Sequence, residues 1–250
     1  MNRIAFITGA TSGIGEATAI LLAENEFDLI ICGRREDRLQ ALAKKLSEKI
    51  RVHTLSFDVR DKDKVFDQIE SLPPEWQKID LLINNAGNAH GFDPIDKGSI
   101  ADWDAMIDIN VKGLLYVSKA IIPGMVDRKS GHIVNIGSIA GKEVYPGGNV
   151  YCASKYAVDA INEGMRIDLN QYGIKVSVVN PGLVNTEFSK VRFKDDPEKS
   201  NSLYKGMTPL YGKDIAELIF FIVTRPSHVN ISDTIIFPTA QASSTIVKRG

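Results

Sequence analysis

The chain has 250 residues, of which 44% are hydrophobic, and its formal net charge is −1 at pH 7. This length suffices for one packed α/β domain, so we expect a single domain over residues 1–250. The nearly neutral charge argues against a nucleic-acid partner.

Cysteine and histidine usage narrows the class further. Cys32 and Cys152 form no C-x-x-C pair and predict no disulfide framework. Cys152 is either a catalytic nucleophile or a bystander, and without a histidine nearby in sequence we favour the bystander. The four histidines lack metal-binding spacing, so we expect no metal. No apolar run reaches about 18 residues, and MNRIAFITGA leads straight into a motif, so we expect a cytoplasmic protein without a membrane anchor.

Short apolar runs alternate with longer amphipathic stretches along the whole chain. The runs predicted as strands cover residues 3–8, 28–33, 52–57, 80–84, 132–138, 174–180 and 233–238. The stretches predicted as helices cover residues 14–25, 36–48, 62–71, 102–127, 151–171 and 212–223. This alternation predicts a Rossmann-type, doubly wound parallel sheet with helices on both faces.

The stretch 186–211 interrupts this alternation. It is polar, it contains Pro197 and Pro209, and it carries the charge run KDDPEK. It is either a solvated loop or a mobile lid, and its length and position favour a substrate lid.

Polar or glycine residues mark the carboxyl ends of the predicted strands. They are Thr8-Gly9, Gly33-Arg34, Asp58, Asn84-Asn85, Ser138 and Asn180-Pro181-Gly182. Open α/β sheets bind their ligands at these ends, so we expect one site built from all of them.

The first of these ends opens the glycine-rich run TGATSGIG at residues 8–15. Gly9, Gly13 and Gly15 allow a tight turn and a close approach of backbone to a ligand. The following helix N-terminus favours a phosphate. The alternative is a glycine-rich turn without a ligand.

The second strand ends without the acidic residue that an NAD site of this kind uses. Gly33 stands there, followed by Arg34 and Arg35. Guanidinium groups suit a 2′-phosphate, so this pattern favours NADP. The alternative is a basic helix start, RREDRL, that pairs with its own acids.

Three further positions admit two interpretations each. Asp58 is either an adenine ligand or a helix N-cap. Asn84-Asn85-Ala86-Gly87 is either a close-approach segment for ribose or adenine, or an Asn-rich turn. Asn110 interrupts a predicted helix, where it is either a tolerated polar residue or an opening that binds water.

Tyr151 and Lys155 stand four residues apart on a predicted helix, with Ser138 upstream. This spacing places both on one helical face, with Cβ atoms roughly 5–6 Å apart. A cation against a phenol lowers its pKa, so the pair predicts a general acid/base. An isolated Tyr-x-x-x-Lys pair is otherwise typical of a solvated helix face.

Taken together, these motifs resemble the short-chain dehydrogenase/reductase family over essentially the whole chain. TGATSGIG, NNAG, Asn110, Ser138, Tyr151, Lys155 and PGLVNT (181–186) stand in the family's order. The resemblance implies seven strands in the order 3-2-1-4-5-6-7, and a homotetramer that pairs the helices near 102–127 and 151–171. It implies a catalytic tetrad of Asn110, Ser138, Tyr151 and Lys155. The implied cofactor contacts are Gly9, Ala10, Thr11, Ser12, Gly13, Ile14, Gly15, Arg34, Arg35, Asp58, Val59, Asn85, Ala86, Gly87, Tyr151, Lys155, Pro181, Gly182, Val184 and Thr186.

A narrower resemblance concerns the substrate. The segments GGNVYCASK, VNTEFSKVRF and HVNISDTIIFPTAQ are similar to the NADP-dependent serine/3-hydroxy acid dehydrogenase (malonic semialdehyde reductase) branch. This implies short 3-hydroxy acids or β-hydroxy amino acids, such as serine, allo-threonine or 3-hydroxypropionate. Ser138 and Tyr151 would hold the reacting oxygen. Arg192 is either a clamp for the substrate carboxylate or a surface arginine.

Two rival functions remain. One is a reductase of another carbonyl class, such as a 3-oxoacyl thioester or a sugar or polyol. The other is an NADP-binding regulatory protein without turnover, although a sensor would not need the intact set of proton-transfer residues.

Overall fold

The computed structural model describes residues 2–250. Its strands are β1 (Ile4–Thr8), β2 (Asp28–Gly33), β3 (Val52–Ser56), β4 (Ile79–Asn84), β5 (His132–Ile136), β6 (Lys175–Pro181), β7 (Val184–Asn185), β8 (Leu210–Tyr211) and β9 (Asp233–Ile236). Its helices are α1 (Gly13–Glu24), α2 (Glu36–Leu46), α3 (Lys62–Glu70), α4 (Ile100–Ile107), α5 (Leu114–Arg128), α6 (Asn149–Leu169), α7 (Phe188–Arg192), α8 (Pro197–Ser202) and α9 (Gly212–Val223).

Seven strands form one parallel sheet in the order β3-β2-β1-β4-β5-β6-β9. This confirms the predicted doubly wound fold and its strand order, since β9 is the seventh strand of the main sheet. The central strands are continuous apolar runs because both of their faces are covered, as in β1, where every residue is buried.

Two apolar cores cover the two faces of the sheet. One contains Leu22 of α1, Leu39 of α2 and Ile219 of α9. The other contains Val65 of α3 and Met125 of α5. These layers hold the strand ends in fixed register, so that the loops after β1, β2, β4, β5 and β6 converge on one edge.

The helix predicted over 102–127 is divided. A π-helical turn, Asp108–Gly113, separates α4 from α5. Single π-turns inside helices frequently accompany functional sites, and this one contains Asn110.

The stretch 186–211 is more regular than the sequence suggested. It contains α7 and α8, and it ends on β8, which pairs in parallel with β7. In the described part of the chain, no helix is both long and apolar enough to cross a membrane.

Candidate active site

The loop after β1 needs its glycines for backbone geometry. Gly9 and Gly13 have φ values of +66° and +60°, in the left-handed region that favours glycine. A Cβ at Gly15 would overlap the carbonyl of Gly9. The loop therefore folds tightly against the start of α1, whose N-terminal amides and dipole favour an anion.

The end of β2 lies against this loop. A Cβ at Gly33 would lie 2.8 Å from Cγ2 of Thr11, so the glycine is needed for close packing. Arg35 donates from Nη2 to Oγ of Ser12 at 2.9 Å, and from Nε to Oγ1 of Thr11 at 3.3 Å. Arg34 is largely exposed, with its Nη1 3.6 Å from Asp58.

Asp58 is not the N-cap of the next helix, so that alternative is wrong. Asp61 takes the cap of α3 and accepts from the amide of Lys64. Asp58 instead receives Nε and Nη2 of Arg60 at 3.0 and 2.7 Å. Burial opposes ionisation of Asp58, but the hydrogen bonds from Arg60 and the nearby guanidinium charges outweigh it and lower its pKa.

The two asparagines after β4 have different roles. Asn84 is buried and donates to Ser118 and Asn135, so it belongs to the core. Asn85 donates from Nδ2 to the carbonyls of Thr8 and Gly9 at 2.9 and 3.1 Å. Asn85 therefore fastens the glycine-rich loop to the end of β4.

Asn110 and Lys155 meet behind Gly87. A Cβ at Gly87 would lie 2.9 Å from Oδ1 of Asn110 and 3.6 Å from Nζ of Lys155. Asn110 bonds the amide and carbonyl of Asn88 at 2.9 and 2.8 Å, and it donates to Ser154 at 3.0 Å. Asn110, which lies in the π-turn, therefore holds the loop after β4 in place.

Lys155 is buried on α6. Its Nζ donates to the carbonyl of Ile136 at 2.9 Å. Burial lowers its pKa to about 8, because an ammonium loses hydration in the interior. It remains mostly protonated at neutral pH.

Tyr151 lies one helical turn before Lys155 and is also buried. Burial raises the pKa of its phenol and the neighbouring Tyr145 adds to this, while a hydrogen bond with Ser138 and the charge of Arg192 oppose it. The Tyr151–Lys155 spacing predicts a lowered pKa for Tyr151, and this prediction is wrong for the isolated chain. In the protein chain alone, loss of hydration outweighs the groups that favour the phenolate, so the pKa lies above its usual value.

Ser138 is positioned through its backbone. Its amide donates to Oδ1 of Asn180 at 3.0 Å, and Nδ2 of Asn180 donates to Asp233 at 2.8 Å. A Cβ at Gly137 would overlap the Asn180 amide. The end of β6 therefore fixes the end of β5.

The segment after β6 crosses from the sheet to the glycine-rich loop. A Cβ on Gly13 would lie 3.1 Å from Cβ of Thr186, so the two residues are in contact. The amide of Leu183 donates to Oε1 of Gln241 at 2.8 Å. A tail residue thereby supports this segment.

Arg192 is buried, with 8% of its surface exposed, so the surface alternative is wrong. Its Nη1 donates to the Tyr145 hydroxyl at 2.8 Å, and its guanidinium lies 4.7 Å from the centre of the Phe92 ring. Among the described residues, its Nη2 has no hydrogen-bond partner. A buried guanidinium nitrogen without a partner beside Tyr151 is suited to an anionic ligand.

One cleft of about 680 Å³ brings most of the predicted residues together. Ala10, Gly15 and Asn110 lie outside its lining, while the predicted residues in it are Gly9, Thr11, Ser12, Gly13, Ile14, Arg34, Arg35, Asp58, Val59, Asn85, Ala86, Gly87, Ser138, Tyr151, Lys155, Pro181, Gly182, Val184, Thr186 and Arg192. A cleft of this size with a glycine cradle fits a dinucleotide and a small substrate.

Sequence reasoning missed several lining residues, namely Phe92, Tyr145, Glu187, Gln241, Ser244, Thr245, Val247 and Arg249. Asn180, which positions Ser138, stood in a noted strand-end motif without an assigned role. Gln241 ends a segment that carries the narrower resemblance but had no assigned role, and for the later tail residues the sequence offered no signal, because their contribution depends on the chain returning to the cleft after β9.

Comparisons with known proteins agree with this arrangement. Residues 3–197 match the short chain dehydrogenase family. The NADP-dependent 3-hydroxy acid dehydrogenase of Salmonella typhi is 46% identical over 240 residues, which is 96% of each chain. Sulfoacetaldehyde reductase 2 of Chromohalobacter salexigens is 45% identical over 245 residues, covering 98% of this chain and 97% of the relative.

A solved structure, the closed form of serine dehydrogenase complexed with NADP⁺, superimposes with a TM-score of 0.93 at 42% identity. The alignment covers 99% of this chain and 100% of that one. The match spans the glycine-rich loop, the Tyr-Lys helix and the tail alike. The chain therefore belongs to the short chain dehydrogenase family.

Proposed function

We propose that this protein is an NADP-dependent oxidoreductase that acts on short 3-hydroxy acids or β-hydroxy amino acids. The observation that carries the proposal is Arg192, a buried residue that lines the same cleft as Ser138 and Tyr151 and whose Nη2 has no hydrogen-bond partner among the described residues. A buried cation beside a proton-transfer group calls for a substrate with an acidic group near the reacting hydroxyl.

The cofactor assignment follows from the end of β2. Gly33 leaves this position without a carboxylate, and Arg34 offers an exposed guanidinium at the cleft. The relative from Salmonella typhi is named NADP-dependent, and the serine dehydrogenase structure holds NADP⁺. We assign the 2′-phosphate to Arg34, assisted by Arg35 and Arg38.

When bound, the nicotinamide would supply the hydride chemistry. During reduction of a carbonyl, the Tyr151 phenol gives its proton to the substrate oxygen. During oxidation of an alcohol, its phenolate accepts the hydroxyl proton, and the charge of Lys155 together with that of a bound nicotinamide would favour this form against the burial that raises the pKa of Tyr151. Ser138 donates a hydrogen bond to the substrate oxygen, where negative charge develops. Lys155 provides a positive charge in this buried region, and Asn110 holds the adjoining loop.

The same arginine admits a second class of substrate. Nη2 of Arg192 recognises an anion rather than a carboxylate specifically, and a relative 45% identical is named a sulfoacetaldehyde reductase. A short sulfonated aldehyde or alcohol is therefore the second candidate.

The segment 186–211 is proposed as the lid of the single domain formed by residues 1–250. Thr186, Phe188 and Arg192 line the cleft from this segment. The ring of Phe188 lies 5.6 Å from that of Tyr151, so closure of the segment would exclude water from the proton transfer.

We also propose a homotetramer in the cytoplasm. Three large apolar side chains on α5 and α6 are exposed to solvent. They are Leu115 on α5, with 40% of its surface exposed, and Tyr156 and Ile167 on α6, with 42% and 64%. Exposed apolar side chains on α5 and α6 are suited to pairing across subunits. Both cysteines are free and buried, as is usual in a reducing compartment.

The test is a spectrophotometric substrate panel. It compares L- and D-serine, the threonine isomers, 3-hydroxypropionate, 3-hydroxyisobutyrate and isethionate, each with NADP⁺ and with NAD⁺. We expect turnover with NADP⁺ on 3-hydroxy acids. Turnover confined to isethionate would select the second candidate. If the protein binds NADP⁺ saturably but turns over none of these compounds and no alcohol of a wider panel, the assignment as an enzyme is overturned in favour of a regulatory protein.

A further inference from the structure

A single acidic side chain of the lid pairs with two basic side chains of α2. The Glu187 carboxylate accepts from Nη1 of Arg35 at 2.8 Å and from Nη1 of Arg38 at 2.9 Å. Glu187 directly follows Thr186 and directly precedes α7. These ion pairs therefore connect the start of the lid to the side of the cleft that is proposed to bind the 2′-phosphate.

Arg35 has little remaining capacity for a ligand. Its Nε and Nη2 donate to Thr11 and Ser12, and its Nη1 donates to Glu187. Of the three arginines proposed for the 2′-phosphate, Arg35 and Arg38 are thus partnered by one lid carboxylate. Arg34 is the more available, with 57% of its side chain exposed.

We propose that Glu187 is a specificity-determining residue that competes with the 2′-phosphate of the cofactor for Arg35 and Arg38. This inference rests on the proposed function, because it concerns the phosphate that distinguishes NADP from NAD. By holding both arginines, Glu187 weakens binding of the phosphorylated cofactor and leaves binding of the unphosphorylated one nearly unchanged.

Electrostatics supports this competition. The hydrogen bonds from Arg38 and Arg35 lower the pKa of Glu187 to about 2, so it is an anion at any physiological pH. A carboxylate and a phosphate seek the same guanidinium edges. The three side chains are 37% to 45% exposed, so water and salt screen the pairs, and we expect an effect of about 2- to 10-fold in affinity.

The competition also reaches the substrate side of the cleft. Phe188, the next residue, contacts the ring of Tyr151. A cofactor phosphate that releases Glu187 from the arginines would therefore free the edge of the lid that covers the proton-transfer group.

The experiment measures binding of two fragments that differ only in the 2′-phosphate, namely adenosine 2′,5′-bisphosphate and adenosine 5′-monophosphate. Calorimetric titration compares the wild type with Glu187→Gln, which removes the charge and keeps the shape. Glu198→Gln, on the exposed part of α8, removes the same charge from the same segment away from the arginines. Melting temperatures check that each variant is folded.

We expect Glu187→Gln to bind the bisphosphate about 2- to 10-fold more tightly and the monophosphate unchanged, with Glu198→Gln like the wild type. The gain should shrink as salt is raised. Equal or weaker bisphosphate binding in Glu187→Gln would overturn the competition while leaving the NADP assignment intact. No preference for the bisphosphate over the monophosphate in either the wild type or Glu187→Gln would overturn both. If Glu187→Gln is poorly folded, Glu187→Ala replaces it, and we expect this variant also to bind the bisphosphate more tightly than the wild type does.

Discussion

Arg192 donates a 2.8 Å hydrogen bond to the hydroxyl of Tyr145, and its guanidinium lies 5.3 Å from the centre of the Tyr151 ring. Tyr145 and the ring of Phe92 fix the arginine in the cleft while its Nη2 is left without a partner among the described residues. The protein therefore holds a positive charge beside the proposed proton-transfer group before any substrate arrives, which reduces the entropy lost on binding.

Replacement of this charge tests the substrate class. We expect Arg192→Met to raise KM for hydroxy acids about 10- to 100-fold, because a hydrogen bond to a charged group contributes about 1.5–3 kcal/mol. Steady-state kinetics measures KM, and fluorescence titration should show NADPH affinity unchanged. Lys199→Met, in the same segment on the surface, is the control. An unaltered KM in Arg192→Met would exclude the clamp.

Removal of one phenolic oxygen tests the acid/base. Tyr151→Phe should lower kcat by about 10²- to 10⁴-fold, because proton transfer loses its carrier. NADPH binding should persist. Tyr156→Phe, on the exposed side of the same helix, removes a hydroxyl that donates to the Lys142 carbonyl at 2.7 Å and should retain activity. Normal turnover by Tyr151→Phe would contradict the assignment.

The buried charge of Lys155 should cost stability. Its pKa is about 8 in the folded protein, against an ordinary 10.5, so the folded state disfavours the ammonium. Below pH 8, this difference in pKa lowers the free energy of unfolding of the wild type by about 3 kcal/mol. In a variant without the ammonium, loss of the hydrogen bond to the Ile136 carbonyl would offset about 1 kcal/mol of the resulting gain in stability. Lys155→Met should therefore abolish turnover and raise the free energy of unfolding by about 2 kcal/mol at pH 7.

The gain in stability of Lys155→Met should depend on pH, because it exists only while Lys155 of the wild type is charged. Below pH 8, both the folded and the unfolded states carry the charge, so the gain in Lys155→Met is complete. Between pH 8 and 10.5 the folded wild type releases its proton first, and the gain disappears. Urea unfolding at several pH values measures it. A gain that grew with pH would contradict the buried ammonium.

Asn180 should matter for turnover as well as for stability. Asn180→Ala removes the acceptor for the Ser138 amide and the donor to Asp233, so we expect a loss of about 1–3 kcal/mol and a lower kcat with NADPH affinity retained. Asn230→Ala is the control, since it breaks bonds to Ser177 and the Val176 carbonyl at the opposite end of β6. If both variants lost stability but kept the same kcat, Asn180 would be structural only.

Arg34 should determine affinity for the phosphorylated cofactor. Arg34→Gln removes an exposed guanidinium at the cleft, and we expect NADP⁺ to bind about 10-fold more weakly while NAD⁺ binding is unchanged. Titration with each cofactor makes the comparison, with Lys44→Gln at the far end of α2 as the control. Equal weakening of both cofactors would assign Arg34 to adenine rather than to the phosphate.

The sequence by itself determined the parts of the molecule that depend on local pattern. Continuous apolar runs such as the one in β1 predicted buried parallel strands, and the glycines in the loop after β1 predicted a tight turn there. The four-residue spacing of Tyr151 and Lys155 placed them on one face of α6, because helical geometry relates such positions directly.

Only the tertiary structure decided what depends on residues distant in sequence. Burial set the pKa directions of Tyr151 and Lys155, since loss of hydration depends on every element packed around them. Three contacts illustrate this. Arg192 bonds to Tyr145, 47 residues away, and Arg35 bonds to Glu187, 152 residues away. Leu183 bonds to Gln241 in the tail, 58 residues away. No local period encodes such contacts, because they arise only when the strand ends meet at one edge of the folded sheet.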